Sequence, residues 1–509
     1  MFKNHPKGLL GAALSNMGER FGFYIMMAIL VLFLSAKFGL SGTHATIIYS
    51  VFYFCIYAFA FIGGLIADKT RNYKGTIMIG LILMAIGYLM ISIPTGTPVP
   101  AEKFVLYLLI TCFGLFTIAF GNGLFKGNLQ AVVGQMYDNE NYRHMRDSGF
   151  QWFYMFINVG AVFSPLAAVG IRNWWVQKHG FVYNSDLPRL CHEYLTSGES
   201  MQGFESFQTL AEASGQGSLN IAEFTNQYLN VFSTGFHYAF AIAIGAMLIS
   251  MAIYLSNRKG FPDPAKKEKA VGVQAGEMTL AEVRQRIYAL FAVFAVVIFF
   301  WFSFHQNGVT LTFFARDYTD LSAINIDLGF TKIVGAEIFQ SINPLFVILL
   351  TPLIIALFSW LRSKGIEPST PKKIAIGMFI AAAAFAVMSL GSLGLPTFNE
   401  VKEMGALENA ARVTPWLLIG TYFILTVAEL FISPLGISFV SKVAPPKLQG
   451  MMQGLWLCAT AIGNQLLFIG AIFYESIPIW ATWAIFIAVC LMSMTLMLVM
   501  LKWLERVSK

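Results

Sequence analysis

The stretch from Ser15 to Leu30, SNMGERFGFYIMMAIL, places a carboxylate and a guanidinium, Glu19 and Arg20, inside an apolar run long enough to cross a bilayer. A charge at the bilayer centre costs about 2.5 to 3.5 kcal/mol on insertion scales, so such side chains face a bundle interior or a water-filled cavity and carry ions, protons or substrate. Asn16, Glu19 or Arg20, Phe23, Tyr24 and Met27 recur at spacings of three and four, and a helix would gather them on one face. The same pattern returns with Lys126 in GNGLFKGN, beside Asn122 and Asn128, and with Glu429 in AELFISPLGISF. His305 in FFWFSFHQNGVTLTFFA has an ordinary pKa near neutral, which suits a proton carrier, a substrate contact or a packing residue against Gln306 and Asn343. Each charge also has a plainer reading. Glu19 and Arg20 can pair only to pin two helices, and Lys126 can snorkel to a helix end.

The elements that must position these residues follow from composition. Of the 509 residues 57% are hydrophobic and 12% charged, far from the balance of a soluble chain. Apolar runs near 15–36, 44–67, 75–94, 104–130, 149–174, 230–256, 287–313, 332–358, 372–393, 415–438, 450–474 and 478–502 predict twelve membrane-spanning helices and an all-α integral membrane protein. Arg20 and Lys126 are the bases assigned to the body of the runs rather than to their ends. Most other Lys and Arg lie in loops on the side of the N-terminus, so both termini are expected in the cytoplasm. The net charge of +7 is then a basic cytoplasmic face, with Lys266, Lys267 and Lys269 at the level of lipid headgroups, and no nucleic-acid partner is implied.

Residues 1–256 read as one group of six spans and 287–509 as another, joined by a polar, basic linker over 257–286. An acidic, glycine-containing insert of about 175–229 interrupts the first group on the outer side. No cleavable signal is expected, because the chain runs directly into a full span. Cys55, Cys112, Cys458 and Cys490 fall in runs and Cys191 in the insert, without metal or disulfide spacing. Among other polar groups in the runs, Asn158 precedes Pro165 in the fifth, Pro344 follows Asn343 in the eighth and is expected to free a carbonyl one turn back, and Pro434 follows Glu429 in the tenth. No nucleophile and base, phosphate loop or metal set appears, so no catalytic residues, metal or cofactor are expected and the chain does not read as an enzyme.

The loop GGLIADKTRNYKGT resembles the loop between spans two and three in the major facilitator superfamily, although the usual glycine among its bases is missing. ERFGFY resembles the ExxERFxYY motif of the proton-coupled oligopeptide transporter family of that superfamily. GNGLFKGN, FYMFINVGA, QSINPLF and ELFISPLGIS followed by KVAPPKLQGMMQGLW match further blocks of the family in order, so the resemblance covers nearly the whole chain. It implies the major facilitator fold, two six-helix bundles with a substrate site between them at midplane. Short peptides would be the substrate, the proton gradient the driving force, and the protein a monomer in the bacterial inner membrane.

Carried over by residue, the resemblance implies a charged cluster of Glu19, Arg20 and Lys126, with Tyr24, Tyr57 and Asn158 as polar contacts in the cavity. Asn343 would bind peptide backbone, Glu429 the peptide amino terminus, and Trp301 and Trp456 would shape side-chain pockets. A zwitterionic peptide needs a cationic and an anionic end in the site, and the two halves supply them separately. The chain departs from the family at Asn16, Phe23, Met27 and His305, where a glutamate, a tyrosine, an arginine and an acid are usual. Lys126 loses its usual carboxylate partner and is expected to lean on Glu19 or to titrate itself. Coupling is therefore expected to run through Glu19, Glu429 or His305, with Arg20 and Lys126 as the bases of the set. A relative carrying another small zwitterion or anion, or a receptor that binds peptide without moving it, are the alternatives.

Overall fold

The computed structural model describes residues 5–70, 72–137, 141–142, 146–215, 220–262, 279–329, 331–443 and 449–508. Lys266, Lys267, Lys269, Arg71 and the APPKL of the tenth-span block lie outside the described residues, as do the side chains of Asp68 and Pro434. The described residues contain twelve helical segments long and apolar enough to cross a membrane, as the composition requires.

The first half comprises α1 (Gly8–Phe38), α2 (Gly42–Thr70), α3 (Tyr73–Ser92), α4 (Ala101–Met136), α5 (Arg146–Lys178) and, after two short helices, α6 (Leu187–Ser197) and α7 (Phe204–Ser214), the long α8 (Ile221–Asn257). In the second half the seventh span is built from α9 (Leu280–Phe304), a 3-10 turn at His305–Gly308 and α10 (Thr310–Asp317). A two-stranded antiparallel ribbon, β1 (Ile326–Asp327) with β2 (Lys332–Ile333), and a 3-10 helix at Ala336–Ser341 lead into α11 (Ile342–Ser363) and α12 (Thr370–Gly391). There follow α13 (Phe398–Met404), α14 (Pro415–Val443), α15 (Gln449–Gln465), α16 (Leu467–Ser476) and α17 (Ile479–Val507).

Many helices outrun their apolar stretches because a helix in progress keeps satisfying its backbone into the polar zone. The insert is accordingly shorter than the sequence suggests. Lys178 still belongs to α5, and α8 starts at Ile221, where Asn220 caps it by accepting from the Glu223 amide at 2.8 Å. At the other end of the linker, α9 starts at Leu280 rather than near 287, capped by Thr279. Pro344 stands in the first turn of α11, where the 3-10 helix gives way to α-helix, so it starts that helix and does not bend it.

Within the first half, glycines set the helix spacing. A Cβ on Gly63 of α2 would lie 2.2 Å from the Gly123 carbonyl oxygen of α4, and one on Gly80 of α3 would lie 2.6 Å from that of Gly121. The two halves meet where α2 packs on α15 and α16, and where α5 packs on α11. An even number of spans brings both termini to one face, and the insert carrying α6 and α7 lies on the other.

Candidate functional site

Glu19 and Arg20 are both buried on α1 and bind each other in a fork, Nε to Oε2 at 2.5 Å and Nη2 to Oε1 at 2.6 Å. Asn122 of α4 donates a further hydrogen bond to Glu19 Oε1 at 2.7 Å, so this carboxylate holds α1 to α4 as well as its neighbour. Phe23, where a tyrosine is usual, lies with its ring 4.2 Å from the Arg20 guanidinium carbon, a cation-π contact that needs no hydroxyl. Arg20 thus spends its charge within its own half.

Lys126 has a different environment. Its Nζ stands 4.2 Å from the centre of the Tyr57 ring on α2, and among the described residues no carboxylate comes within ion-pair distance. The expected lean on Glu19 does not occur, because Arg20 and Asn122 already occupy that carboxylate. Nor does the ammonium reach for the helix end: it rests on the Tyr57 ring.

From Tyr57 a train of rings crosses to the second half. Tyr57 lies 5.6 Å from Tyr53, Tyr53 5.1 Å from His305 on the 3-10 turn, and His305 stacks on Trp301 of α9 at 4.8 Å and 18°. His305 Nδ1 donates to Asn464 Oδ1 of α15 at 2.5 Å, which leaves Nε2 as the second ring nitrogen. Gln306 turns away to Thr310 and the Leu467 carbonyl, so the expected packing of His305 on Gln306 and Asn343 is replaced by Asn464 and two aromatic rings.

In the second half Asn343 donates from Nδ2 to Glu429 Oε2 and to Thr426 Oγ1, both at 2.9 Å, tying α11 to α14. Glu429 forms no ion pair among the described residues. Tyr24 of α1 lies edge-on to the Phe23 ring at 5.2 Å. Asn158 is buried on α5. Trp456 is set apart: its ring lies against the backbone of Gly436, where a Cβ would be 2.1 Å away, and edge-on to Phe294.

Sequence reasoning passed over Tyr53, Asn464 and a set of charges on the insert face. Arg172 of α5 pairs with Glu337 of the 3-10 helix, both fully buried, and Asn173 donates to the Lys332 and Val334 carbonyls at 2.7 and 2.9 Å. Both Arg172 and Glu337 stand inside apolar runs, and that was the available signal. From the insert, Asp186 accepts from Arg412 at 3.0 Å and Arg189 donates to the Gly405 carbonyl at 2.5 Å. Glu193 lies 3.7 Å from Lys402. Every one of these contacts joins the first half to the second. Burial holds the His192 imidazole below its ordinary pKa, against the raising effect of the Ala36 carbonyl it bonds at 2.8 Å. A cavity of about 550 Å³ lies on this face, not beside Lys126 and Glu429, and both halves line it.

A family model described as the POT family matches residues 74–286 and 266–479. The peptide transporter YePEPT of Yersinia enterocolitica subsp. palearctica serotype O:3 (strain YE-P4) is 31% identical over 492 residues, covering 91% of this chain and 87% of that protein. Dipeptide and tripeptide permease A of Proteus mirabilis (strain HI4320) is 27% identical over 455 residues, 87% of this chain and 81% of its own. Among solved structures, a peptide transporter POT in complex with sulfate superposes with a TM-score of 0.70 at 24% identity, covering 100% of this chain and 96% of that one. A POT family transporter in complex with 5-aminolevulinic acid superposes with a TM-score of 0.70 at 21% identity, covering 100% and 98%. The superpositions over the whole chain show that it has the major facilitator fold of those transporters.

Proposed function

Since the chain belongs to the POT family, we propose that it is a secondary transporter importing di- and tripeptides by alternating access, driven by the proton gradient. The observation that carries the reading is the division of unpaired charge. Among the described residues Lys126 in the first half has no carboxylate and Glu429 in the second has no cation, so a zwitterionic peptide lying between the halves would complete both. Tyr24, Tyr57 and Asn158 would supply polar contacts, Asn343 a hydrogen bond to the backbone, and Trp301 an aromatic wall. Trp456, packed on Gly436, would shape a side-chain pocket from behind rather than line the seam. Relatives named as peptide transporters and as dipeptide and tripeptide permeases support the substrate class.

For coupling, Glu19 is committed to Arg20 and Asn122, which leaves Glu429 and His305 as the groups free to exchange a proton as the halves part. The protein would work as a monomer in the bacterial inner membrane, termini in the cytoplasm. Competitive uptake into proteoliposomes, with dipeptides, tripeptides, blocked peptides and 5-aminolevulinic acid in the panel, tests the substrate class. Peptide-driven proton influx for the parent chain, His305→Gln and Asn16→Glu tests the coupling. His305→Gln should flatten the pH profile of uptake more than it lowers binding, and downhill peptide flux with no proton movement would make the protein a facilitator.

A further inference from the structure

We propose that the cavity on the insert face is a second binding site, a vestibule that holds a short peptide by its charged ends before the halves open. The inference rests on the reading of the chain as a peptide carrier. At about 550 Å³ the cavity falls within the range of small-molecule sites, and aromatic rings from both halves wall it, Phe232 of α8 and Phe313 of α10 among them.

Two opposite charges lie near the Phe313 ring. One is Glu475, at the end of α16. A Cβ on Gly42 would come within 2.6 Å of Glu475 Oε1 and 3.2 Å of the ring, so the carboxylate and the ring both border Gly42. It accepts from the Thr43 amide at 3.2 Å and the Thr43 hydroxyl at 2.5 Å, and no cation pairs with it among the described residues. The other is Arg316, whose guanidinium carbon stands 5.0 Å from the ring centre. Its Nε and Nη2 are taken by Asp317 at 2.6 and 2.9 Å, and its Nη1 has no partner among the described residues. Deeper in the wall, Glu337 is fully buried with its Oε2 unpartnered.

A carboxylate held only by neutral donors keeps its charge for an ammonium, and a guanidinium with one edge free can still take a carboxylate. Two extended residues span about 7 Å, enough for a dipeptide to reach across a phenyl ring from Glu475 to Arg316. Glycine at 42 is part of the site, because any side chain there would displace Glu475.

Labelling of Ser197→Cys, at the exposed rim of the cavity, by a maleimide provides the test, with the parent chain as the blank for its native thiols. Dialanine should slow labelling at least threefold, both in the otherwise native protein and with Lys126→Ala, while N-acetyl-dialanine amide should not. Glu475→Gln and, separately, Arg316→Gln should each remove the protection. No protection by dialanine, equal protection by the blocked peptide, or protection lost with Lys126→Ala would overturn the vestibule. Uptake of dialanine by the parent chain, measured alongside, decides the carrier reading on its own: uptake without protection sinks only the vestibule.

Discussion

Lys126 and Glu429 differ from Arg20 and Glu19 in having no opposite charge of their own among the described residues, and this difference sets what each substitution should do. Glu429→Gln should weaken peptides with a free amino terminus far more than amino-blocked ones. Lys126→Ala should do the converse for peptides with a free carboxylate. A hydrogen bond to a charged group is worth about 1.5 to 3 kcal/mol, so the selective loss in affinity should be roughly ten- to a hundredfold. Arg20→Ala should weaken free-carboxylate peptides too, but with added loss of folded protein, since it strips a buried Glu19 of its ion pair. Binding of free and blocked peptides by purified variants checks the set, and equal losses for both would make these residues structural. The charges themselves were legible in the sequence, because a charge inside an apolar run is costly and therefore conspicuous. Their pairing was not. Nothing local tells Glu19 to choose Arg20 and Asn122 over Lys126, and Asn464 reaches His305 only because α15 packs on α9.

Among the elements, apolar run length located the spans well, and their polar ends poorly, since capping by Asn220 and Thr279 carries α8 and α9 beyond the apolar stretches. The turn at His305–Gly308 left no mark in hydropathy, because the residues on either side stay apolar; the Tyr422 hydroxyl steadies it by donating to the Asn307 carbonyl at 2.8 Å. Least legible was the insert. Its composition shows acidity and glycine, whereas its use comes from contacts about 200 residues away in sequence: Asp186 with Arg412, Arg189 with Gly405 and Glu193 with Lys402. These tie the first half to α13 and the residues after it, so the insert acts as a strap over the seam. A cleavable thiol cross-linker joining Asp186→Cys to Arg412→Cys should stop uptake, and cleaving it should restore uptake. Full transport with the cross-link in place would show that the insert face never opens. At the helix contacts, Gly63→Val should cost stability, since its Cβ cannot coexist with the Gly123 carbonyl unless α2 and α4 move apart; a lower unfolding temperature in detergent is the expected readout.

For the whole molecule, the twelve spans among the described residues would place both termini on one face, and the excess of Lys and Arg in the loops there predicts that this face is cytoplasmic. Glu205→Cys, on α7, should therefore react with an impermeant maleimide in intact cells, and reaction only after permeabilisation would invert the topology. Seen across its full width, the molecule closes its insert face with charge: Arg172 on Glu337 and Asp186 on Arg412, all four nearly shielded from solvent. Such a closure has a temperature dependence of its own. Ion hydration carries a strongly negative entropy, so stripping water from these side chains becomes less costly on warming. Heat therefore favours the state in which the four are joined, and cold favours the state in which they are wet; a chilled carrier should rest with this face parted, and a warm one with it shut.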